Sequence, residues 1–389
     1  VRFSTERLRG PAALAAAVGL LAVGACSADG EADTSGPAVE PGPDAVAEAE
    51  RLYQIIAESS AIESELISIE NRVAKRCMED EGFSVQDAMV FQESDFSSYW
   101  SAGFLANAPV QAVPTPEAAE QWGFGVWTQF ISNPGNEELA EELLTPEARV
   151  AFNMPDVEYG EPDNSEWDAA GDDYQAAWIE AYTGSPAYIS SVKGPEEDYE
   201  APPGGCWLTM IETIYGEPYL VESESEEEGE ESSYTATHEP SPAFQIEEFE
   251  DTGELLTRLD GEDVAFETCL IDSGYEGWEL GDEFYPPLWQ YFGKMYDPAY
   301  FEEYGDEEGL KVPEGPEDVP SDFMGVLELE RAMAVDFAAC GQESGLREAV
   351  EQGWASMLVE AYAPIETDMV AWQEQMQGHL DKAQDYLQE

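Results

Sequence analysis

The 389-residue chain is poor in positive charge: 15 Lys and Arg stand against 85 Asp and Glu, giving a formal net charge of −70. Phosphate recognition needs clustered Lys and Arg, so the composition argues against nucleic acid as a partner. Histidine is scarcer still, with only His238 and His379 present. A histidine-ligated metal centre or a Ser-His-Asp triad would therefore have to use His379, because His238 falls in an acidic segment expected to be disordered. G-x-S-x-G, H-E-x-x-H, the Walker A loop, G-x-G-x-x-G and a D-x-D-x-D-G calcium loop are all missing. Cys-x-x-Cys is missing too, so the thiols read as structural rather than redox-active. These absences leave no catalytic signature, no metal site and no cofactor to expect.

What is present is a body that should fold, with 43% hydrophobic residues and ten tryptophans. Ahead of it, Arg2, Arg7 and Arg9 precede the apolar run Pro11 to Ala25, which is shorter than the roughly twenty residues of a spanning helix. The run ends in Val23-Gly24-Ala25-Cys26, which resembles the lipobox of bacterial prolipoproteins. The resemblance implies diacylglyceryl transfer to the Cys26 sulfur, cleavage between Ala25 and Cys26, and a membrane anchor on the outer face of the cytoplasmic membrane. Residues 1–25 are then a signal peptide. Residues 26–45, rich in Gly, Pro, Ser and Asp, are a lipid-anchored tether. Without residues 1–25, 12 cationic side chains face 84 acidic ones, a net charge of about −72. Most carboxylates must then face water, since an unpaired buried charge is expensive. Weak, non-specific uptake of divalent cations is the one ligand behaviour this coat suggests.

The other four cysteines, Cys77, Cys206, Cys269 and Cys340, are an even number in a chain read as exported, and imply two disulfides. Seven glutamates crowd residues 222–231, so 221–240 reads as a solvated acidic linker or long loop. It divides an N-terminal helical half (46–220) from a C-terminal one (241–389). Pairing within halves joins Cys77 to Cys206 and Cys269 to Cys340; cross-pairing stays open if the halves form one body. AKRCMEDEGF (74–83) echoes FETCLIDSGY (266–275), each placing Gly and an aromatic after a cysteine-bearing helix, as a left-handed C-terminal cap requires. With GGC at 204–206, these elements resemble a group of actinobacterial exported lipoproteins of unassigned function. That resemblance implies structure and carries no activity.

Periodicity predicts a mainly α fold: a disulfide-stapled helical body with long irregular loops rich in aromatics, Gly and Pro. Apolar residues from Leu52 to Cys77 recur at three and four. Further helices are expected at 136–144, 146–153, 172–182, 205–215, 244–259, 262–272, 321–340, 346–362 and 365–388. The segments 84–135, 183–203 and 273–320 have no assigned state. Two aromatic clusters, WGFGVW (Trp122 to Trp127) and FYPPLWQYFGKMY (Phe284 to Tyr296), could floor a ligand groove at Trp122, Trp127 and Trp289; buried packing is the stronger expectation. The reading that follows is a membrane-tethered, non-catalytic extracytoplasmic protein that binds or organises an envelope protein or sugar. Alternatives are a substrate-binding lipoprotein of an importer, which would need two α/β lobes, and a glycoside hydrolase using a carboxylate pair in an aromatic cleft.

Overall fold

A computed structural model describes residues 42–92, 113–152, 154, 163–184, 203–224, 231–246, 252–280, 286–304, 311–316 and 318–388. The lipobox, Cys26 and the expected tether as far as residue 41 lie outside the described residues; Pro43, Asp44 and Ala45, placed in the tether by their composition, instead belong to the first helix. The fold is mainly helical.

Helix α1, Pro43–Asp80, is the axis of the molecule. At 38 residues it is roughly 57 Å long. It begins nine residues before the expected 52–77 segment, because Pro43 at the first turn sets a helical φ and Ala45 and Ala49 extend the buried stripe backwards. The stripe continues through Leu52, Ile56, Ile62, Leu66, Ile69, Val73 and Met78. Short helices follow: α2 Pro116–Trp122, α3 Glu137–Leu143, α4 Pro146–Ala151, α5 Ser165–Ala170, α6 Asp172–Thr183 and α7 Gly205–Ile214. Thr115 and Thr145 each accept a hydrogen bond from an N–H three residues on, with proline at the first helical position, so α2 and α4 start alike. The C-terminal part carries α8 Thr252–Thr257, α9 Glu262–Asp272, α10 Leu288–Tyr296, α11 Pro298–Tyr304, α12 Phe323–Ser344, α13 Leu346–Tyr362 and α14 Glu366–Gln388.

The first half of α1 packs with α9, α12 and α13 in one core, which includes Leu52, Ile56, Phe266, Phe292, Phe337 and Leu358. Its second half packs with α5, α6, α7 and α14 in another, which includes Leu66, Val73, Trp178, Ile211, Met376 and Leu380. Each core thus draws on residues from both sides of the acidic segment. Each also carries one disulfide. Cys77–Cys206 ties α1 to α7, and Cys269–Cys340 ties α9 to α12, with Cα separations of 5.6 and 5.5 Å.

Both sequence echoes form the same cap. Gly82 and Gly274 each have φ of 94°, Phe83 N–H donates to the Met78 carbonyl at 2.9 Å, and Tyr275 N–H donates to the Leu270 carbonyl at 2.8 Å. This is the six-to-one closure of a Schellman motif. The Gly-Gly-Cys element has a different cause. A Cβ on Gly205 would lie 2.1 Å from the Ala181 carbonyl oxygen, and one on Gly204 would lie 2.6 Å from that of Thr183. The start of α7 therefore abuts the end of α6 closely enough that only glycine fits.

Two expectations change, and segments left open gain a state. The acidic segment is not wholly a solvated linker: Tyr219–Glu224 (β1) and Glu231–Ala236 (β2) form an antiparallel hairpin with Tyr219 opposite Ala236 and Glu224 opposite Glu231. Tyr, Val and Thr interleaved with the glutamates favour extended backbone, and ladder hydrogen bonds hold it against charge repulsion. Residues 225–230 lie outside the described residues. Within the expected helix 244–259, the described residues form the end of a 3-10 turn at Pro242–Phe244, which Ser241 caps, and the short α8; residues 247–251 lie outside the described residues. Finally, α2, α10 and α11 occupy segments whose state the sequence left open.

Candidate functional site

Two acidic centres stand out, one half-buried beside the second core and one fully buried in the first. The first centre surrounds His238, which the sequence placed in a disordered segment; the structure corrects that, leaving its side chain only 10% exposed. Glu63 and Glu70 are seven residues apart on α1, so two helical turns bring both carboxylates to one face. His238, just after β2, lies between them: Nε2 is 3.1 Å from Glu63 Oε2, and Nδ1 is 3.3 Å from Glu70 Oε1. Tyr215, at the end of α7, stacks on the imidazole with centroids 5.0 Å apart, and its hydroxyl donates to Glu70 Oε1 at 2.5 Å.

His379 on α14 lies edge-on to the Tyr215 ring, and its Nδ1–H donates to the Ile214 carbonyl at 2.9 Å. Lys382 Nζ donates to the same carbonyl at 3.3 Å, so two side chains of α14 cap the C-terminus of α7. His379 is thereby placed as a helix-end donor.

Burial alone would lower the His238 pKa, but hydrogen bonds and charge from Glu63 and Glu70 outweigh it and raise the pKa to about 9. Burial first, then the two carboxylates, drives the Tyr215 hydroxyl well above its ordinary range. Thr237 Oγ1 lies 3.0 Å from His238 Nδ1, so hydroxyl, imidazole and carboxylate occur in the order a nucleophile-activating relay uses. The chemistry does not follow, because an imidazolium already protonated at neutral pH has no lone pair to accept the Thr237 proton. The arrangement is an ionic clamp. Among the described residues, no group of three His, Cys, Asp or Glu side chains is placed to hold a metal ion.

The second centre is Glu330 on α12, which is fully buried. One carboxylate oxygen accepts the Val126 N–H at 3.0 Å, and the other accepts the Tyr296 hydroxyl at 2.7 Å. The N–H groups of Phe124 and Gly125 also hydrogen-bond to it. Gly123 and Gly125, at φ 71° and 83°, curl the WGFGVW loop so that successive amides converge on the carboxylate as an anion nest. Side chains are excluded here: a Cβ on Gly123 would lie 3.1 Å from Glu330 Oε1, and one on Gly125 would lie 2.0 Å from the Phe152 ring. Desolvation dominates, raising the Glu330 pKa to about 7 against the opposing pull of these hydrogen bonds.

The alternating glycines of WGFGVW therefore mark an internal carboxylate cradle. Trp127 is fully buried and its Nε1–H donates to the Trp122 carbonyl at 2.9 Å, so no ligand can reach its face. Trp122 is half-buried, edge-on to Phe152. Trp289 is 36% exposed, packed on Phe301 with centroids 4.7 Å apart and stacked over Phe130. The structure thus joins Trp122 to Trp127 and leaves Trp289 apart, reached through Phe130.

The scarce cations are spent between elements. Arg51 on α1 bridges Glu48 and Glu366 of α14, each at 2.7 Å. Arg258 joins Glu254 of α8 to Glu360 of α13, and Arg347 reaches from α13 to the Val113 carbonyl.

No protein-family model matches the chain, and neither a curated protein nor a solved structure matches it.

Proposed function

We propose that the protein is a lipid-anchored, strongly acidic extracytoplasmic lipoprotein with a non-catalytic binding or organising role in the cell envelope. The observation that carries the reading is the partition of the cysteines. Four pair with one another inside the body, and Cys26 is left over at the end of an apolar N-terminal run, where a lipobox places its acylated residue. Structural disulfides belong to an oxidising compartment, in agreement with export. The signal peptide 1–25, a tether from Cys26 to the start of α1 and the location on the outer face of the cytoplasmic membrane all belong to this reading.

The importer-receptor alternative needs two α/β lobes, whereas the strands among the described residues are one two-stranded hairpin. The hydrolase alternative needs an accessible acid of raised pKa beside an open aromatic face. Glu330 has such a pKa but no exposure, and Trp127 is enclosed. The binding role accordingly falls to the acidic exterior, toward an envelope protein or a sugar.

Replacing Cys26 with serine should move the full-length protein from the membrane fraction into the soluble phase; retention in the membrane would overturn the anchor. A thermal-shift series on that variant against wall sugars, peptides and divalent cations tests the rest, since a ligand at 100 times its Kd adds about 2.7 kcal/mol. Turnover of any added compound would overturn the non-catalytic assignment.

A further inference from the structure

We infer that His238 is a charge-gated clasp that pins the return strand of the acidic hairpin to the helical body, so that one proton governs whether residues 231–238 are held. The inference goes beyond the proposed envelope role and does not depend on it. The hairpin sits in the most glutamate-dense stretch of the chain, with seven glutamates among residues 222–231, which repel one another and the acidic exterior. Something must hold its end against that repulsion, and the geometry supplies a cation. Both His238 nitrogens face carboxylate oxygens of α1, Glu63 at 3.1 Å and Glu70 at 3.3 Å. Only the doubly protonated ring offers a donor to each; the neutral ring turns a lone pair toward one of the anions.

The groups around the ring leave the clasp to this proton. On α1 they are Glu63 and Glu70, and at the end of α7 it is Tyr215, whose hydroxyl is committed to Glu70. On α14, His379 and Lys382 both turn to the Ile214 carbonyl rather than to the imidazole. Within its own segment, Thr237 contacts Nδ1 at 3.0 Å. One residue further on, the attachment changes character. Trp372 Nε1–H donates to the Glu239 carbonyl at 2.8 Å, a bond without a titratable partner. Loss of the His238 proton should therefore free the chain up to Glu239 and no further, with Trp372 as the fixed point.

The test is amide hydrogen exchange on the full chain, read as protection relative to the intrinsic rate at each pH. Between pH 7 and pH 10, protection across residues 231–238 should fall by up to about seventyfold, the linkage expected for an imidazole pKa of about 9 when held against 6.5 when released, while α1 keeps its protection. His238→Gln should show the low value at pH 7 and no step. Glu63→Gln should keep the step but move it to lower pH. Independently of any variant, the imidazole resonance of His238 in the native chain should titrate above pH 8. A His238 ring titrating near 6.5, protection that stays flat to pH 10 in the native chain, or an equal step in His238→Gln would each overturn the clasp.

Discussion

The two cores resolve one difficulty, a carboxylate inside a protein, in opposite ways. Around the second half of α1, Glu63 and Glu70 are answered by a cation, His238, which is brought between them. On α12, Glu330 meets only neutral donors, the amides of the WGFGVW loop and the Tyr296 hydroxyl, and burial raises its pKa to about 7 against them. The choice follows from access and supply. With 12 cations outside residues 1–25, a counter-ion is rationed, and a fully dry site can do without one if polar hydrogens converge on the carboxylate. The His238 site sets two carboxylates, Glu63 and Glu70, against one ring, and a cation answers both at once.

Removing the staples is the largest test of this contrast. The chain-closure argument for separations of 129 and 71 residues gives a loss of about 5 kcal/mol for Cys77→Ser with Cys206→Ser and about 4 kcal/mol for Cys269→Ser with Cys340→Ser. Chemical denaturation of each double variant measures this, and if each core owns its staple, the first should loosen the His238 side and the second the Glu330 side.

Next comes Glu330→Ala, which orphans several buried donors at once and should lose about 3 kcal/mol or more. Glu330→Gln keeps the volume and isolates the proton. The native Glu330 pKa is raised from 4.5 to about 7, so its contribution is complete below pH 4.5 and is lost as pH rises through 7. In Glu330→Gln, the decline of stability across that window should disappear.

His238→Gln should lose about 2 kcal/mol at pH 6, measured by thermal unfolding. The sign is the same but the window is not. A native pKa raised from 6.5 to about 9 gives stability that is complete below pH 6.5 and is lost as pH rises through 9. Stability against pH should therefore descend in two steps, and each variant should erase one. A single step, or both steps erased by one substitution, would break the comparison.

The smallest effect belongs to the exposed bridge of Arg51 with Glu48 and Glu366. A double-mutant cycle of Arg51→Ala and Glu366→Ala should give a coupling below about 1 kcal/mol that fades with salt.

Much of the scaffold was legible from local rules. The α1 stripe, the Thr-Pro start of α4, the paired Gly-aromatic caps and the within-half disulfides each rest on chemistry spanning a few residues or on the crowding of glutamate. The acidic centres were not legible. Glu63 and Glu70 look like any exposed positions beside an apolar stripe, and His238 sits 168 residues beyond Glu70 in a segment whose composition suggests solvation. Glu330 was likewise one acid among 85, and only the alternating glycines of WGFGVW hinted that a backbone loop must wrap something.

The sequence by itself determined the helical character, the cysteine arithmetic, the lipobox-like start and the acidic surface, because each depends on residue type and spacing along one segment. Only the tertiary structure decided which of many equivalent carboxylates lie inside, which histidine is a clamp and which caps a helix, and that the acidic segment returns to the body. Those outcomes depend on what faces a side chain across the fold, and burial and hydrogen-bond partners that set a group's charge are properties of the packed arrangement.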